Sequence, residues 1–361
     1  YTFLDYIWAV NGTDTVRTWA GTAGTGWGTT QAVSAPIGSL VKNFYDRVNI
    51  AEVAGFPSRL YRSSIPDSSG NITWTGEYVE FNPDDNDSIT ALERNGGLLF
   101  VFKRRSLFTY NGVQTQPDVI IDVGTPNQEC VQTIRGNTFF PSEINGSIAV
   151  FTYNGQYPTE VSRGWRKFFN AIPTSQLTSF GSWKDEDHYY LSVGGSVTYE
   201  GVTYPAAYFG YCVSKATGFI GSMDNPVKFG IPRVDSSSNL SMVFGNTNGQ
   251  VLTWGSGNTW NGTAITSHLV TKELEFGSRF QEKTIRKFVV YSQNPQGASI
   301  RVRIDGAQWQ DIGSLSKPLQ VIDCNLTGHW FEFMFALNNS SEQWIFDGID
   351  FVDYSLDPAQ V

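Results

Sequence analysis

Cysteine is scarce in this sequence, and its spacing excludes two kinds of site. The three cysteines, Cys130, Cys212 and Cys324, lie far apart and form no Cys-x-x-Cys pair. An odd count without such a pair excludes a disulfide framework and a thiolate zinc site. We expect buried free thiols in a reducing compartment.

Histidine is equally scarce, and the familiar catalytic motifs are missing. His188, His268 and His329 are the only histidines, and none has a ligand-type residue placed two or four positions further on. The chain contains no Gly-x-Ser-x-Gly elbow and no His-Glu-x-x-His motif. We therefore expect no cofactor and no enzymatic activity, although carboxylates contributed by separate strands would leave no local motif.

Charge and long apolar runs are also limited. Charged residues make up 16% of the chain, the net charge is −9 and the pI is about 4.9. A nucleic-acid-binding surface needs a basic stripe, so this balance argues against sequence-specific binding of DNA or RNA. No apolar stretch approaches the length of a membrane span.

Aromatic residues and glycine, by contrast, are abundant. Aromatics make up 14% of the chain, which also contains 36 glycines. These residues favour strands and turns, and no long stretch has apolar residues at helical spacing. The fold class predicted is all-β, with one short helix between Trp165 and Leu177.

The segment from Asp87 to Gly112 predicts a three-stranded meander. Its strands are Ile89–Leu92, Leu98–Phe102 and Leu107–Tyr110, separated by an Asn-Gly-Gly turn and by a basic turn. The last strand ends in Phe-Thr-Tyr-Asn-Gly, which recurs from Phe151 after about 43 residues, a spacing typical of propeller blades. We therefore predict a β-propeller of antiparallel meander blades.

The pattern changes near residue 264. Strict alternation of apolar and polar residues, as in Ser299–Ile304, indicates strands with one buried and one wet face. We predict a propeller over residues 1–264 and a β-sandwich over 265–361, packed on the propeller or inserted in it.

Two loops are candidates for charged contacts. Lys103, Arg104 and Arg105 form the densest basic run and are predicted to face solvent or a partner subunit. Asp85 and Asp87 have carboxylates two apart, as in a calcium loop, but lack the glycine and the closing glutamate of an EF-hand. They are weak metal candidates, and a solvated turn is the favoured interpretation.

Other residues suggest a ligand surface or catalysis. Trp27, Trp260 and Trp309 lie in loops where they would stack on sugar rings or plug the gaps between blades. Asp185 and Asp187, in a charged turn that ends at His188, are the candidate acid and base of a propeller glycosidase. A solvated turn is the favoured alternative there.

Several segments in order resemble the β-propeller region of bacteriophage virion proteins. They include Phe-Tyr-Asp-Arg-Val from Phe44, Ser-Arg-Leu-Tyr-Arg-Ser-Ser-Ile-Pro-Asp from Ser58, and Gly-Leu-Leu-Phe-Val-Phe-Lys-Arg-Arg-Ser-Leu from Gly97. Lys-Thr-Ile-Arg-Lys-Phe-Val-Val from Lys283 is similar to the sandwich segment that follows such propellers. The family includes nozzle and hub proteins of short-tailed phages and related tail-tip components.

The resemblance implies a structural virion protein without catalytic residues. Its expected partners are copies of itself in a ring, other tail or portal proteins and a host-surface receptor, with roles in DNA passage and host attachment. It would be made in the host cytoplasm and end in the virion. Because the chain begins mid-pattern at Tyr1 without a methionine, we expect a missing or cleaved N-terminal part. The alternatives are a carbohydrate- or receptor-binding propeller and, less favoured, a propeller glycosidase.

Overall fold

A computed structural model describes most of the chain and shows it to be nearly all-β. The described residues are 2–4, 6–22, 25–28, 33–113, 118–121, 123–199, 201–223, 225–234, 240–253, 259–260, 263–295, 297–339 and 344–356. Within these ranges there is one α-helix, α1 (Arg166–Asn170), inside the segment that the sequence predicts as helical. None of the helices described is long and apolar enough to cross a membrane.

The first half of the chain forms four sheets whose strands follow one another in chain order. Each is an antiparallel up-and-down meander, because every strand pairs with the one before it in the chain. The strands are β1 (Thr2–Phe3), β2 (Tyr6–Ala9) and β3 (Arg17–Trp19); β4 (Gly38–Phe44), β5 (Arg47–Val53), β6 (Arg59–Arg62) and β7 (Tyr78–Glu80); β8 (Ile89–Asn95), β9 (Leu98–Lys103), β10 (Ser106–Tyr110) and β11 (Asp118–Ile121); β12 (Gln132–Ile134), β13 (Asn137–Ile144), β14 (Ser147–Tyr153) and β15 (Thr159–Glu160).

The meander predicted from Asp87 to Gly112 is confirmed and gains a fourth strand, β11. The repeated Phe-Thr-Tyr-Asn-Gly segments occupy equivalent places, since β10 and β14 are each the third strand of their sheet. The repeat in sequence is therefore a repeat in structure.

Consecutive sheets pack face to face in chain order. Phe81, which directly follows β7, lies against Phe108 of the next sheet, with ring centroids 5.4 Å apart. Phe102 then meets Phe140 of the following sheet at 4.9 Å. This is the packing of propeller blades, where each sheet buries both faces against its neighbours.

The next sheet has seven strands in the order β21-β20-β17-β16-β22-β23-β24. One pairing in it is parallel, between β16 and β22, where Ser182 is opposite Phe229. Gly181 makes this approach possible, because a Cβ there would lie 2.2 Å from the Lys228 carbonyl oxygen. The strands of this part of the chain are β16 (Gly181–Lys184), β17 (His188–Ser192), β18 (Val197–Tyr199), β19 (Val202–Tyr204), β20 (Ala206–Cys212), β21 (Thr217–Met223), β22 (Val227–Val234), β23 (Leu240–Asn246) and β24 (Val251–Thr253).

The C-terminal strands form a β-sandwich. A five-stranded sheet in the order β25-β26-β31-β28-β29 and a three-stranded sheet in the order β30-β27-β32 share one apolar core, which includes Phe288, Ile300 and Phe333. The strands are β25 (Thr259–Trp260), β26 (Thr263–Val270), β27 (Lys283–Gln293), β28 (Ser299–Ile304), β29 (Gln310–Ser314), β30 (Leu319–Gly328), β31 (Phe331–Asn339) and β32 (Ile345–Leu356). The predicted fold class, all-β with meander blades followed by a sandwich, is confirmed.

The chain divides into two compact units. The blade unit comprises Tyr1–Tyr199, Ala206–Ile220 and Asn225–Leu252, and the sandwich unit comprises Glu200–Pro205, Gly221–Asp224 and Thr253–Val361. The change of pattern placed at residue 264 falls inside β26, which runs from Thr263 to Val270.

Candidate functional site

The basic turn differs from its sequence-based interpretation, because Lys103 is the last residue of β9 and its side chain is fully buried. Its ammonium donates to the Asp85 carboxylate at 2.6 Å, the Asn82 carbonyl at 2.9 Å and the Ser58 hydroxyl at 3.0 Å. A buried ammonium needs such partners to replace its lost water. The prediction that Lys103 faces solvent or a partner subunit is therefore wrong.

The two arginines of the turn do lie at the surface. Arg104 pairs with Glu143 at 3.0 Å, and Arg105 donates its backbone N–H to the Asp87 carboxylate at 3.2 Å. Both side chains are exposed. Their role in a partner contact stays a prediction.

The acidic loop is organised around the same lysine. Asp85 closes a 3-10 turn, Pro83–Asp85, and accepts the Asp87 backbone N–H at 3.0 Å. The oxygen that accepts this bond also binds the Lys103 ammonium. The Lys103 ammonium thus takes the place that a metal cation would have at this loop. This arrangement does not favour Asp85 as a calcium ligand.

The three candidate tryptophans have different surroundings. Trp27 is half-exposed in the blade unit, with its ring centroid 6.1 Å from that of Trp19. Trp309 is half-buried in the sandwich unit, with the Arg303 guanidinium 4.9 Å from its ring centre. The side chain of Trp260 lies outside the described residues.

The Asp185 turn joins β16 to β17 and is held by its first residue. One Asp185 oxygen accepts the backbone N–H groups of Asp187 at 2.8 Å and His188 at 2.7 Å. The same carboxylate lies 3.0 Å from His188 Nδ1, and its other oxygen accepts the Tyr190 hydroxyl at 3.0 Å. Burial raises the pKa of Asp185, but these donors outweigh burial, so its pKa lies below the ordinary 3.8.

Asp187 is bound from the neighbouring strand. Its carboxylate accepts the Ser214 hydroxyl, the Ser214 backbone N–H at 3.1 Å and the Cys212 thiol at 3.3 Å, and it pairs with Arg135 at 2.9 Å. The Ser214 hydroxyl is the main cause that lowers the pKa of Asp187 below its ordinary value. Both carboxyls of the turn are therefore ionised at neutral pH.

The turn brings together a set of metal-ligand atoms that the sequence did not reveal. A carboxylate oxygen of Asp187, a ring nitrogen of His188 and the sulfur of Cys212 lie within 4.8 Å of one another. His188 is directly opposite Cys212 in the β17–β20 pairing. Local spacing could not show this, because the cysteine comes from another strand. The exclusion of a thiolate zinc site from cysteine spacing therefore holds only for ligands that are close in sequence. We call Asp187, His188 and Cys212 the turn cluster.

A cavity of about 530 Å³ lies at the first strands of successive blades. Ser39 and Lys42 of β4, Glu52 of β5, Thr90 of β8 and Glu129 are among its lining residues. First strands of a propeller's blades line its central channel. The cavity wall is thus contributed by several blades, and it contains apolar side chains, such as Leu40 and Val41, beside the polar ones.

Glu52 is the unusual residue of this cavity. Its backbone is left-handed, with φ of 57°, although it lies in β5 between Ala51 and Val53, which both pair with β4. Its carboxylate accepts the Ser39 hydroxyl. Burial raises the pKa of its carboxyl above the ordinary 4.5, although much of the side chain is exposed. Backbone strain and a raised carboxyl pKa in a cavity are both found at functional sites.

No protein-family model and no curated protein matches the chain. Among solved structures, the WD40 domain of coronin from Toxoplasma gondii is similar with a TM-score of 0.44 at 12% identity, covering 70% of this chain and 65% of that one. A putative 6-phosphogluconolactonase from Bacteroides uniformis ATCC 8492 has a TM-score of 0.39 at 13% identity, covering 70% and 81%. An exo-β-1,3-galactanase from Phanerochaete chrysosporium has a TM-score of 0.30 at 9% identity, covering 94% and 91%. These values are too low to carry an argument about function.

Proposed function

We propose that this chain is a structural component of a bacteriophage virion, where copies of it assemble into a ring at the tail. The resemblance of its strand segments to virion propellers supports this role. The structural observation that carries it is an apolar strip on the sandwich unit, on the outer face of the three-stranded sheet. Such a strip favours contact with a neighbouring subunit over a wholly solvent-facing surface.

The strip follows from the register of that sheet. Phe288 and Val290 point into the core, so Val289 and Tyr291 point outward. Val289 is opposite Val321, and Tyr291 is opposite Leu319. The outward side chains at these positions are therefore apolar on two strands, although Val289 itself is buried and the exposed Asp350 lies opposite it on β32.

Three side chains of the strip are well exposed. They are Leu319 at 57%, Val321 at 47% and, on β32, Val352 at 61%. A charged pair, Lys287 with Asp323 at 3.3 Å, lies beside them. An apolar centre with a charged border is the composition of a protein–protein contact. A ring needs a head-to-tail contact, so the strip would meet a different surface of the next copy.

Particle mass in solution tests this proposal. We expect light scattering and electron microscopy of the purified chain to show a symmetric ring, and Leu319→Asp with Val321→Asp to reduce it to monomers. Asn325→Asp is the control for added charge, because it places one new carboxylate on an exposed residue of the same strand without removing an apolar side chain. A chain that is monomeric at high concentration, or a ring indifferent to the double substitution, would contradict the proposal.

The ionisation of Asp185 and Asp187 supports a role other than catalysis for the acidic turn. A glycosidase needs one carboxyl that keeps its proton at the working pH. The pKa values of Asp185 and Asp187 both lie below the ordinary value, so neither is suited to be that acid. If Asp187→Asn abolished a glycan-cleaving activity of this chain, the structural proposal would be overturned.

The Glu52 cavity favours a second candidate function, the binding of a glycan or receptor in the channel of the blade unit. Glu52 and Glu129 come from different blades, the kind of carboxylate pair that no local motif reveals. Glycan-array binding that Glu52→Gln abolishes, and that Glu143→Gln outside the cavity leaves intact, would establish it. If the unsubstituted chain bound no glycan, this second function would be excluded.

A further inference from the structure

We propose that the turn cluster of Asp187, His188 and Cys212 binds a divalent transition-metal ion of the zinc class. Imidazole, thiolate and carboxylate are the three donor types that zinc uses in proteins. Their ligand atoms already lie within 4.8 Å of one another. Three protein ligands leave a fourth, tetrahedral position to water.

Strand pairing and a backbone hydrogen bond hold these residues together. His188 and Cys212 are a directly opposed pair of β17 and β20, so their positions are set by the ladder. The Asp187 carbonyl accepts the Val213 N–H at 2.8 Å, which ties the turn to the end of β20. The three donors therefore come from one hairpin tip and the strand beside it.

The histidine has a carboxylate beside one of its two ring nitrogens. Asp185 lies 3.0 Å from His188 Nδ1, so this carboxylate can fix the tautomer that leaves the lone pair on Nε2. A carboxylate behind a ligating histidine is the usual outer partner in zinc sites. Asp185 is thus a positioning residue for the site.

The carboxylate of Asp187 can serve two partners at once. Oδ1 is bound by Arg135 at 2.9 Å and by the Ser214 N–H at 3.1 Å, whereas Oδ2 accepts the Ser214 hydroxyl and lies 3.3 Å from the Cys212 sulfur, so a metal ion would share Oδ2 with that hydroxyl. The metal would bind on the Oδ2 side, and the Cys212 thiol would release its proton to solvent as the sulfur–metal bond forms. Arg135 can keep its place on Oδ1.

Cobalt binding gives the direct test. The reduced, chelator-treated chain is titrated with Co²⁺, and we expect one ion per chain with a thiolate-to-cobalt absorption band that Zn²⁺ removes. Cys212→Ser should abolish the band. His188→Asn should weaken the binding of Co²⁺, and Asp185→Asn should weaken it on the order of 10- to 100-fold without removing the band.

The chain offers matched controls. Cys324→Ser removes a half-buried thiol far along the chain, and His329→Asn removes a histidine that is paired with an aspartate in the same way, 3.0 Å from Asp305. Both variants should bind cobalt as the unsubstituted chain does. The absence of the band, its survival in Cys212→Ser or its loss in Cys324→Ser would overturn the proposal. Circular dichroism of each variant distinguishes loss of the site from loss of the fold.

Discussion

Among the residues that the structure describes, the blade unit and the sandwich unit each bury one lysine completely, and its ammonium finds different hydrogen-bond partners in the two units. Lys103 ends β9 and has a carboxylate, Asp85, among its three partners. Lys283 begins β27 and donates only to backbone carbonyls, those of Ser278 at 2.5 Å, Gln281 at 2.7 Å and His329 at 2.5 Å. The first arrangement pairs the buried ammonium directly with a carboxylate, whereas the second surrounds it with neutral carbonyls and leaves Glu275 and Asp305 to act on it without a direct contact.

The difference concerns what remains after the lysine is removed. Without Lys103, the Asp85 carboxylate would be left with its charge uncompensated. Without Lys283, only neutral carbonyls lose a donor, and the Ser278 carbonyl keeps the Gln281 N–H. Removing one partner of a buried ion pair costs more than removing a hydrogen bond between a charge and neutral groups.

The largest expected effect is therefore that of Lys103→Met. We expect the free energy of unfolding of the blade unit to fall by about 3 kcal/mol, at the lower end for a buried pair because Asp85 retains some contact with water. Denaturant titration followed by tryptophan fluorescence measures it. Arg104→Met, the exposed neighbour, should change stability by less than about 0.5 kcal/mol. Adding Asp85→Asn should restore part of the loss, and no restoration would contradict the charge-pair explanation.

A smaller loss is expected for Lys283→Met in the sandwich unit. Three carbonyls lose a charged donor, but no ion is left unpaired, so the free energy of unfolding should fall by about 1–2 kcal/mol. The same titration gives the value. A loss as large as that of Lys103→Met would show that the carboxylate is not what distinguishes the two sites.

The smallest effect on stability is expected for Asp305, a carboxyl in a turn of the sandwich unit, and this effect depends on pH in the acid range. Burial raises the pKa of Asp305, but His329 and the backbone N–H groups of His329 and Trp330 lower it more, so it lies below the ordinary 3.8. A carboxyl whose folded-state pKa is lowered adds stability above its unfolded value, and this is lost as the pH falls through the folded value.

We expect Asp305→Asn to cost less than about 1 kcal/mol at pH 7, because the pair with His329 is partly exposed. The difference from the unsubstituted chain should shrink as the pH falls below 3.8. Thermal unfolding across that range measures it, with Asp347→Asn as an exposed control. A difference that stays constant with pH would contradict an origin in the Asp305 charge.

A similar turn in the blade unit extends the comparison. Asp67 accepts the backbone N–H groups of Ser69 at 2.8 Å and Asn71 at 2.9 Å, in the turn before Trp74. The bond from Asn71 is the main cause that lowers its pKa. Asp67 has no histidine partner, so comparing its acid dependence with that of Asp305 would separate the backbone contribution from that of His329.

Much of the architecture could be predicted because its signals are local. The hairpin around Asn95 follows from turn residues between apolar runs, and the repeated Phe-Thr-Tyr-Asn-Gly marks equivalent third strands. The alternation of Ser299–Ile304 likewise predicted a strand with one buried face. Each of these features depends on residues within one or two strands, where period and turn chemistry are sufficient.

The sites could not be predicted in this way, since they combine distant parts of the chain. Lys103 looked like a solvated turn residue, and only its meeting with Ser58 and Asp85 makes burial possible. His188 has no ligand-type partner at local spacing, but β-strand pairing places Cys212 opposite it.

The sequence by itself determined the all-β class, the meander repeat and the change to alternating strands, because strand period and turn chemistry are short-range properties. The tertiary structure alone decided which polar groups are buried and which meet. Burial of a charge is tolerated only where the packed fold supplies its partners, and those partners lie on other strands. The basic turn and the acidic turn were both visible in the sequence, but only the packing of the strands made one a buried ion pair and the other a cluster of metal-ligand atoms.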